Sequence, residues 1–265
     1  MKPKPAGLDT HFAAQFKDAS VVAAYGKRPP YPESLISLIL ELAGDSSRRI
    51  LDLGCGTGEL ARRLAPHVQS VTAIDHAEPM IAQARTLPGG TAPNVEWVVG
   101  RVEDAELAGS FSLALAAESF HWFDWNVACA RLIQVVPSSL LVVVEDRREL
   151  LSPWASELIP LIAQSSTNQD YEPYDLVAEL VVRSCVSIAG RVALGPSVFM
   201  QSVDDYITSI HSRNGFSRNR MTPDAATQFD SAVRDMVTPC AKNNILELHI
   251  ETRVAWGHVM SPDNV

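Results

Sequence analysis

The chain has 265 residues, of which 46% are hydrophobic, and its formal net charge at pH 7 is −9. A chain of this length and hydrophobicity buries enough apolar surface for one domain with an elaboration, or for two small domains. Proteins that bind nucleic acids usually carry a basic excess or a basic patch, so the acidic balance argues against that class. The basic clusters are predicted to be solvated faces, namely Arg48-Arg49, Arg62-Arg63, Arg147-Arg148 and the run 213–220.

Membrane insertion and a metal or disulfide framework are also disfavoured. The longest uncharged stretch, residues 132–144, is 13 residues long and contains Pro137, so it is too short to span a bilayer. The basic segment 1–5 is not followed by the apolar core of a signal peptide. The four cysteines are widely spaced and form no C-x-x-C motif. We therefore expect a cytoplasmic protein without a metal site and without a nucleic-acid or membrane partner. A monomer or homodimer is the expected assembly.

The first half of the chain shows the alternation of an α/β fold. Residues 1–10 are predicted to be disordered, and a helical pattern over residues 11–43 is interrupted by the proline-rich run 28–32. Short apolar runs then alternate with amphipathic helical patterns, which is typical of a parallel sheet covered by helices on both faces. The predicted strands are 49–54, 70–75, 95–99, 111–117 and 139–145, and the predicted helices are 58–66, 78–86 and 125–135.

The pattern changes after Glu145, where a mostly helical segment interrupts the sheet. Helices are predicted over 176–185, 203–212 and 223–237, a strand within 188–200, and two closing strands within 245–258. The sequence therefore predicts four consecutive parts, which are an N-terminal helical segment over 1–43, an α/β core over 44–150, an inserted region over 151–240 and closing strands over 241–265.

The segment Asp52-Leu53-Gly54-Cys55-Gly56-Thr57-Gly58 follows an apolar run and precedes a helical pattern, so it predicts a strand, a tight turn and a helix start. Alternating glycines let the backbone approach a ligand closely, because no Cβ stands in the way. A dinucleotide fingerprint requires a third glycine at the position of Glu59. A carboxylate there would repel a pyrophosphate, so the spacing favours a ligand without phosphate that carries a charged amino-acid end and a ribose.

Acidic residues follow the second and third predicted strands. Asp75 ends the second strand, where an open α/β sheet binds its ligand, and its carboxylate suits the two hydroxyls of a ribose. The alternative for Asp75 is an N-cap for the helix that begins near Glu78. The pair Glu103-Asp104 after the third strand suits an exocyclic amine such as that of adenine, although acidic pairs in loops are usually solvated.

A dense aromatic cluster follows the fourth predicted strand, in the run Glu118-Ser119-Phe120-His121-Trp122-Phe123-Asp124-Trp125. Three aromatic rings in a loop at the ligand-binding edge of the sheet predict a pocket wall. Phe123 and Trp125 are expected to pack beneath the following helix. For His121 two interpretations stay open, a direct part in the chemistry and a purely structural role.

These motifs together resemble the class I S-adenosylmethionine-dependent methyltransferases. The most similar branch has a F-H-W-F-D box and includes trans-aconitate methyltransferase-like enzymes. Two further segments resemble that branch, namely Tyr25-x-x-Arg28-Pro29-x-Tyr31-Pro32 and the segment around Ser212-Arg213. The resemblance covers nearly the whole chain and implies a Rossmann-like seven-stranded sheet, an N-terminal helical lid and an inserted, mostly helical cap. The chain departs from the branch at Glu118, where Gln is common, and at residues 136–139, which replace an Arg-Pro-Gly-Gly turn.

The resemblance implies S-adenosyl-L-methionine as the cofactor and S-adenosyl-L-homocysteine as its product. The glycines would approach the methionyl part, Asp52 would orient the loop or meet the amino group, and Ala117 and Glu118 would line the methionyl end. Asp75 would bind the ribose and the Glu103 loop would frame the adenine. For Arg28 two interpretations stay open, a pair with a carboxylate of the cofactor or substrate and a surface position at a helix end. The implied cofactor-binding residues are Asp52, Gly54, Gly56, Gly58, Asp75, Met80, Val102, Glu103, Asp104, Ala117 and Arg28. The implied substrate-pocket residues are Tyr25, Tyr31, Phe120, Trp122, His211 and Arg213.

The reaction implied by the resemblance is an in-line displacement, for which alignment and exclusion of water are the main tasks. A hydroxyl acceptor requires a general base, whereas a carboxylate acceptor does not. We expect O-methylation of a natural product or organic acid, with N- or C-methylation as the alternative. His121 is the first candidate base, Glu118 the second and His211 the third.

Three other classes compete with this interpretation. A nucleic-acid methyltransferase would carry an N/D-P-P-Y/F box after the fourth strand, where this chain has residues 118–121. A nicotinamide-dependent oxidoreductase is disfavoured by Glu59. A non-catalytic module that keeps the cofactor-binding fold stays open as an alternative.

Overall fold

The structure is a computed structural model that describes residues 4–44 and 48–260. The chain forms two compact units that interleave along the sequence. The core unit comprises the described residues of Tyr31–Arg147, Tyr174–Leu194 and Thr252–Val265, and the helical unit those of Met1–Pro30, Arg148–Pro173 and Gly195–Glu251. Each of the four parts predicted from the sequence is one continuous segment, whereas each of these two units is built from three separate segments of the chain.

A seven-stranded sheet organises the chain, and its strand order is β3-β2-β1-β4-β5-β7-β6. The first five strands pair in parallel, β2 with β1 and β3, and β4 with β1 and β5. The seven-stranded α/β sheet that the resemblance implies is therefore confirmed. The strands are β1 Arg49–Leu53, β2 Ser70–Asp75, β3 Val95–Val99, β4 Leu113–Ala117, β5 Leu140–Leu150, β6 Val186–Ser202 and β7 Ile245–Val259.

Helices occupy most of the predicted helical segments. The helices predicted over 78–86, 125–135 and 223–237 are confirmed with the same bounds. The helix Glu33–Ala43 ends at Gly44, as predicted, and Gly44 has a φ of 72°. The helices are α1 Thr10–Ala13, α2 Ala19–Tyr25, α3 Glu33–Ala43, α4 Glu59–Leu64, α5 Glu78–Thr86, α6 Trp125–Val135, α7 Ala155–Ser165, α8 Leu176–Val182, α9 Val203–Ile210 and α10 Pro223–Val237. None of the helices within residues 4–44 and 48–260 has the length and apolar character that a bilayer span requires.

The structure corrects several sequence predictions. The closing segment is one strand, β7, and not two, because residues 251–253 contain no glycine or proline and the strand continues through them. Strands β5 and β6 are also longer than predicted, and the 17 residues of β6 make the segment 151–240 less helical than expected. Asp9 caps α1 through hydrogen bonds from the His11 and Phe12 amides, so predicted disorder does not hold there; residues 1–3 lie outside the described residues.

The core unit buries side chains on both faces of its sheet. Successive residues of a strand point to opposite faces. Leu51 and Leu53 of β1 accordingly join one hydrophobic cluster, which includes residues of α6 and α8, whereas Ile50 joins another with residues of α3 and α4. This arrangement confirms helices on both faces of the sheet. The helical unit has its own cluster, built from residues of α7, α9 and α10 and including Trp154, Phe216 and Phe229.

Two positions of α6 test this account of the core. Leu132 is fully buried between α6 and the sheet, whereas 41% of Val127 is exposed on the same helix. We expect Leu132→Ala to lower the free energy of unfolding by about 2–5 kcal/mol through lost burial and a cavity. The matched control Val127→Ala should change it by less than about 0.5 kcal/mol. Urea unfolding measures both, and equal losses would contradict this assignment of faces.

Candidate functional site

A glycine loop joins β1 to α4 in the core unit. Gly54, Gly56 and Gly58 have φ angles of 66°, 56° and 69°, in the left-handed region that favours glycine. A Cβ on Gly54 would lie 2.6 Å from the Ser119 Cβ, and one on Gly58 would lie 2.2 Å from Cη2 of Trp97. Both the conformation and the close packing therefore require glycine at the two ends of the loop.

The Asp75 carboxylate fastens this loop to the end of β2. The Gly56 amide donates a 2.8 Å hydrogen bond to Asp75 Oδ2, and the Ala77 amide donates one of the same length to Oδ1. The helix α5 begins after Ala77 and has no side-chain N-cap, so Asp75 orders a turn before the helix rather than capping it. The predicted ribose contact of Asp75 stays a prediction, and the structure gives the carboxylate a second role in shaping the loop.

Asp52 lies in β1 beneath the loop and is almost completely buried. Burial is the main cause that raises the pKa of its carboxyl group to about 7, and the charge of Asp75 adds to it, while a hydrogen bond from the Ala61 backbone acts in the opposite direction. Burial and the same two carboxylates also raise the pKa of the Cys55 thiol well above its usual value. The site therefore concentrates negative charge in a desolvated place, which a bound cation would relieve.

The loop after β3 holds the beginning of α6 in place. Glu103 Oε1 accepts a 2.7 Å hydrogen bond from the Asp124 amide, and the Arg101 guanidinium lies 3.2 Å from the same oxygen. Burial opposes ionisation of Glu103, but the hydrogen bonds from Arg101 and the Asp124 amide outweigh it and lower its pKa. Asp124 in turn caps α6 by accepting from the Asn126 and Val127 amides. Glu103 and Asp124 therefore both stabilise the start of α6, whether or not a ligand is bound.

The aromatic box divides into buried and half-buried rings. Phe120 is fully buried and meets Phe123 edge-on at 5.6 Å, and the Trp125 indole donates to the Phe120 carbonyl at 2.9 Å. Phe123 and Trp125 join the cluster beneath α6, as expected. The burial of Phe120 favours a packing role over the predicted substrate contact. His121 and Trp122 are half-buried and contact each other, with 4.7 Å between ring centroids, so they are the members better placed to meet a ligand.

The remaining predicted cofactor residues of the core unit differ in burial. Met80 and Val102 are almost completely buried, and Val102 lies in a hydrophobic cluster. Ala117 is half-buried at the end of β4, and Asp104 is exposed. Ala117 and Asp104 therefore have surface that a ligand reaches without rearrangement, whereas Met80 and Val102 support the fold around the loop.

Glu118 has partners that the sequence did not predict. Its φ of 52° is unusual for a residue with a side chain. Arg147 lies within β5, where its Nη2 is 2.6 Å from Glu118 Oε2 and its guanidinium carbon is 4.1 Å from the Tyr31 ring centroid. The prediction of a solvated face for the Arg147-Arg148 pair is wrong for Arg147, whose side chain is only 7% exposed. The available signal was its place directly after the fifth predicted strand, at the ligand-binding edge.

Four predicted residues belong to the helical unit. Arg28 donates to the Ser212 hydroxyl at 2.7 Å and to the Ser212 carbonyl at 2.6 Å, and it stacks over Tyr25 at 4.3 Å. His211 is buried, and its ring nitrogens contact the Phe216 carbonyl and the Asp230 carboxylate. These contacts favour a structural role for His211 over that of a base. Arg213 is exposed.

Comparison with known proteins agrees with this geometry. Residues 50–138 match a family model described as "Methyltransferase domain". An uncharacterized methyltransferase of Mycobacterium tuberculosis is 32% identical over 148 residues, which are 55% of this chain and 58% of that protein. The malonyl-[acyl-carrier protein] O-methyltransferase of Acetivibrio thermocellus is 33% identical over 134 residues, 49% of this chain and 46% of that protein. The chain thus matches less than two thirds of either relative's length.

A solved structure supports the fold over most of the chain. The S-adenosylmethionine-dependent methyltransferase of Thiobacillus denitrificans, solved in complex with S-adenosyl-L-homocysteine, superposes with a TM-score of 0.51 and 16% identity. The superposition covers 88% of this chain and 93% of that one. Residues 50–138, which contain the glycine loop, Asp75 and the aromatic box, therefore match the methyltransferase domain family, and the sheet around them has the fold of an S-adenosylmethionine-dependent methyltransferase.

Proposed function

We propose that the chain transfers a methyl group from S-adenosyl-L-methionine to a small-molecule acceptor. The observation that carries the proposal is the loop of three left-handed glycines, whose central amide binds the buried carboxylate of Asp75. Such a loop exposes backbone at the carboxyl edge of parallel strands, where α/β sheets bind ligands. The buried pair Asp52 and Asp75 suits a ligand with positive charge, as the sulfonium and ammonium groups of the methyl donor provide.

O-methylation is the proposed reaction type. It is supported by the similarity to the malonyl-[acyl-carrier protein] O-methyltransferase and to a ubiquinone biosynthesis O-methyltransferase of Xanthomonas euvesicatoria pv. vesicatoria, 35% identical over 108 residues. Within the core unit His121 and Trp122 offer half-buried rings at the end of β4. His121 is the proposed base for a hydroxyl acceptor, because Glu118 is already engaged by Arg147.

Isothermal titration calorimetry of the full chain tests the choice of cofactor. We expect S-adenosyl-L-methionine and S-adenosyl-L-homocysteine to bind at micromolar concentrations, and NAD to show no heat of binding, because Glu59 stands at the helix start where a pyrophosphate would lie. Gly58→Ala, which places a Cβ against Trp97 in a left-handed conformation, should abolish binding of both sulfur ligands. Gly26→Ala is the control, since its added Cβ has no atom within 4 Å. Binding of NAD alone would overturn the proposal.

The raised pKa of Asp52 predicts a dependence on pH. Between its usual value of 3.8 and about 7, native Asp52 binds a proton that the unfolded chain releases, so its contribution to stability falls as the pH rises. Asp52→Asn should therefore gain stability relative to the wild type between pH 5 and pH 8, by at most about 4 kcal/mol. Cofactor affinity of the wild type should rise over the same range, because a bound cation favours the ionised carboxylate. Parallel urea titrations and calorimetry at the two pH values measure both effects; pH-independent differences would contradict them.

A panel of hydroxyl, carboxylic-acid and amine acceptors with a methyl-labelled donor tests the reaction type. We expect labelled ethers or esters rather than methylamines. With a hydroxyl acceptor, His121→Gln should lower kcat by about a hundredfold or more, as loss of a general base does. With a carboxylic acid it should leave kcat within a few-fold. His249, which is half-buried in the helical unit, provides the control variant His249→Gln. An unchanged kcat of His121→Gln with a hydroxyl acceptor would exclude it as the base.

A further inference from the structure

The ion pair between Glu118 and Arg147 joins the residue that follows β4 to the part of β5 in the core unit. Arg147 Nη2 donates to Glu118 Oε2 at 2.6 Å, and the Arg147 amide donates to Oε1 at 3.1 Å. The Glu118 side chain is 20% exposed and that of Arg147 is 7% exposed. Because one residue satisfies both carboxylate oxygens, and because water screens the pair little, the two charges compensate each other at close range.

Tyr31 covers this pair. Its ring lies 4.1 Å from the guanidinium carbon of Arg147, which is a cation–π contact, and its hydroxyl lies 3.4 Å from Glu118 Oε2. The Tyr31 amide donates to Glu59 Oε1 at 2.8 Å, and Arg63 Nη1 lies 3.2 Å from the same oxygen. The neighbouring carboxylate of Glu59 is therefore also paired. Burial alone would lower the pKa of Arg147, but the charges of Glu118, Tyr31 and Glu59 and the hydrogen bond to Glu118 together outweigh it and raise that pKa, which keeps the guanidinium charged.

The ion pair lies beside the glycine loop. Ser119, the next residue after Glu118, donates through Oγ to the Leu53 carbonyl at 2.5 Å, directly before the loop begins. Its Cβ is the atom that an alanine at Gly54 would strike. Glu59, which binds the Tyr31 amide, is the first residue of α4 after the loop. The pair is therefore linked to both ends of the loop that would hold the methionyl part of the cofactor, at one end through the adjacent Ser119 and at the other through Tyr31 and Glu59.

We propose that Arg147 determines donor selectivity by neutralising Glu118, so that the methionyl end of the site does not retain the sulfonium donor too strongly relative to the neutral thioether product. The inference rests on the proposed function. The sulfonium charge is present in the donor, is lost as the methyl group transfers, and is absent from the product. A lone carboxylate beside it would stabilise the donor more than the transition state, which raises the barrier. When Glu118 is paired with Arg147, its carboxylate keeps its hydrogen bonds and its position without raising the barrier to methyl transfer.

Calorimetry of the full chain with S-adenosyl-L-methionine and S-adenosyl-L-homocysteine tests the proposal through the ratio of the two dissociation constants. Arg147→Met removes the cation that pairs with Glu118 and should shift the ratio toward the donor by about tenfold, the order expected for one nearby unit charge at an intermediate dielectric constant. Glu118→Gln removes the carboxylate that pairs with Arg147 and should shift the ratio by a similar factor toward the product. The double variant should return to within about threefold of the wild type. If the ion pair were only structural, the single variants would weaken the binding of both ligands without changing the ratio of their dissociation constants.

Arg191→Met is the matched control, because Arg191 forms a two-contact ion pair with Glu145 in the same unit. It should leave the ratio unchanged. A ratio that stays within twofold of the wild type in folded Arg147→Met and Glu118→Gln, or moves in the same direction in both, overturns the proposal. If Arg147→Met does not fold, the near-isosteric Glu118→Gln decides the question by the direction of its shift. Failure of the wild type to bind either ligand would instead refute the proposed function.

Discussion

The hydrogen bond from the Gly56 amide to the Asp75 carboxylate is the contact on which the site depends. It ties a loop that follows β1 to the end of β2, and it holds the loop in left-handed conformations that only glycine adopts without strain. Ser119 packs against Gly54 and Trp97 packs against Gly58, so neither glycine has room for a Cβ. The backbone is thus shaped before any ligand arrives, which lowers the entropic cost of binding.

Charge around the loop is distributed unevenly. Asp52 and Asp75 are buried beside each other, and their mutual repulsion together with desolvation keeps Asp52 partly protonated near neutral pH. Glu118 carries its own cation, Arg147, and Glu59 carries Arg63. The buried carboxylates of Asp52 and Asp75 therefore lie near the ends of β1 and β2, whereas the carboxylate of Glu118 after β4 is compensated by Arg147. We infer that a cationic ligand is attracted by the first pair of carboxylates, and that the ion pair at β4 limits how tightly it is held.

The sequence predicted the parts of the fold that local patterns determine. Helices α5, α6 and α10 have strong amphipathic periods and clear boundaries, and the glycine motif marks one turn whose spacing is informative. The continuity of β7 was missed because polar residues 251–253 look like a turn although they continue the strand. Arg147 was missed because two adjacent arginines in sequence suggest a solvated surface, and only the pairing of β4 with β5 shows that one of them is buried against Glu118.

Amide hydrogen exchange measured by mass spectrometry tests most directly whether the glycine loop is the cofactor site. Peptides that cover residues 52–60 and the end of β2 at Asp75 report the loop and its anchor. The account predicts that S-adenosyl-L-homocysteine slows exchange in both segments, that NAD leaves them unchanged, and that α10 in the helical unit serves as an internal reference without a predicted change. Binding of S-adenosyl-L-homocysteine that leaves exchange in residues 52–60 unaltered would contradict the account.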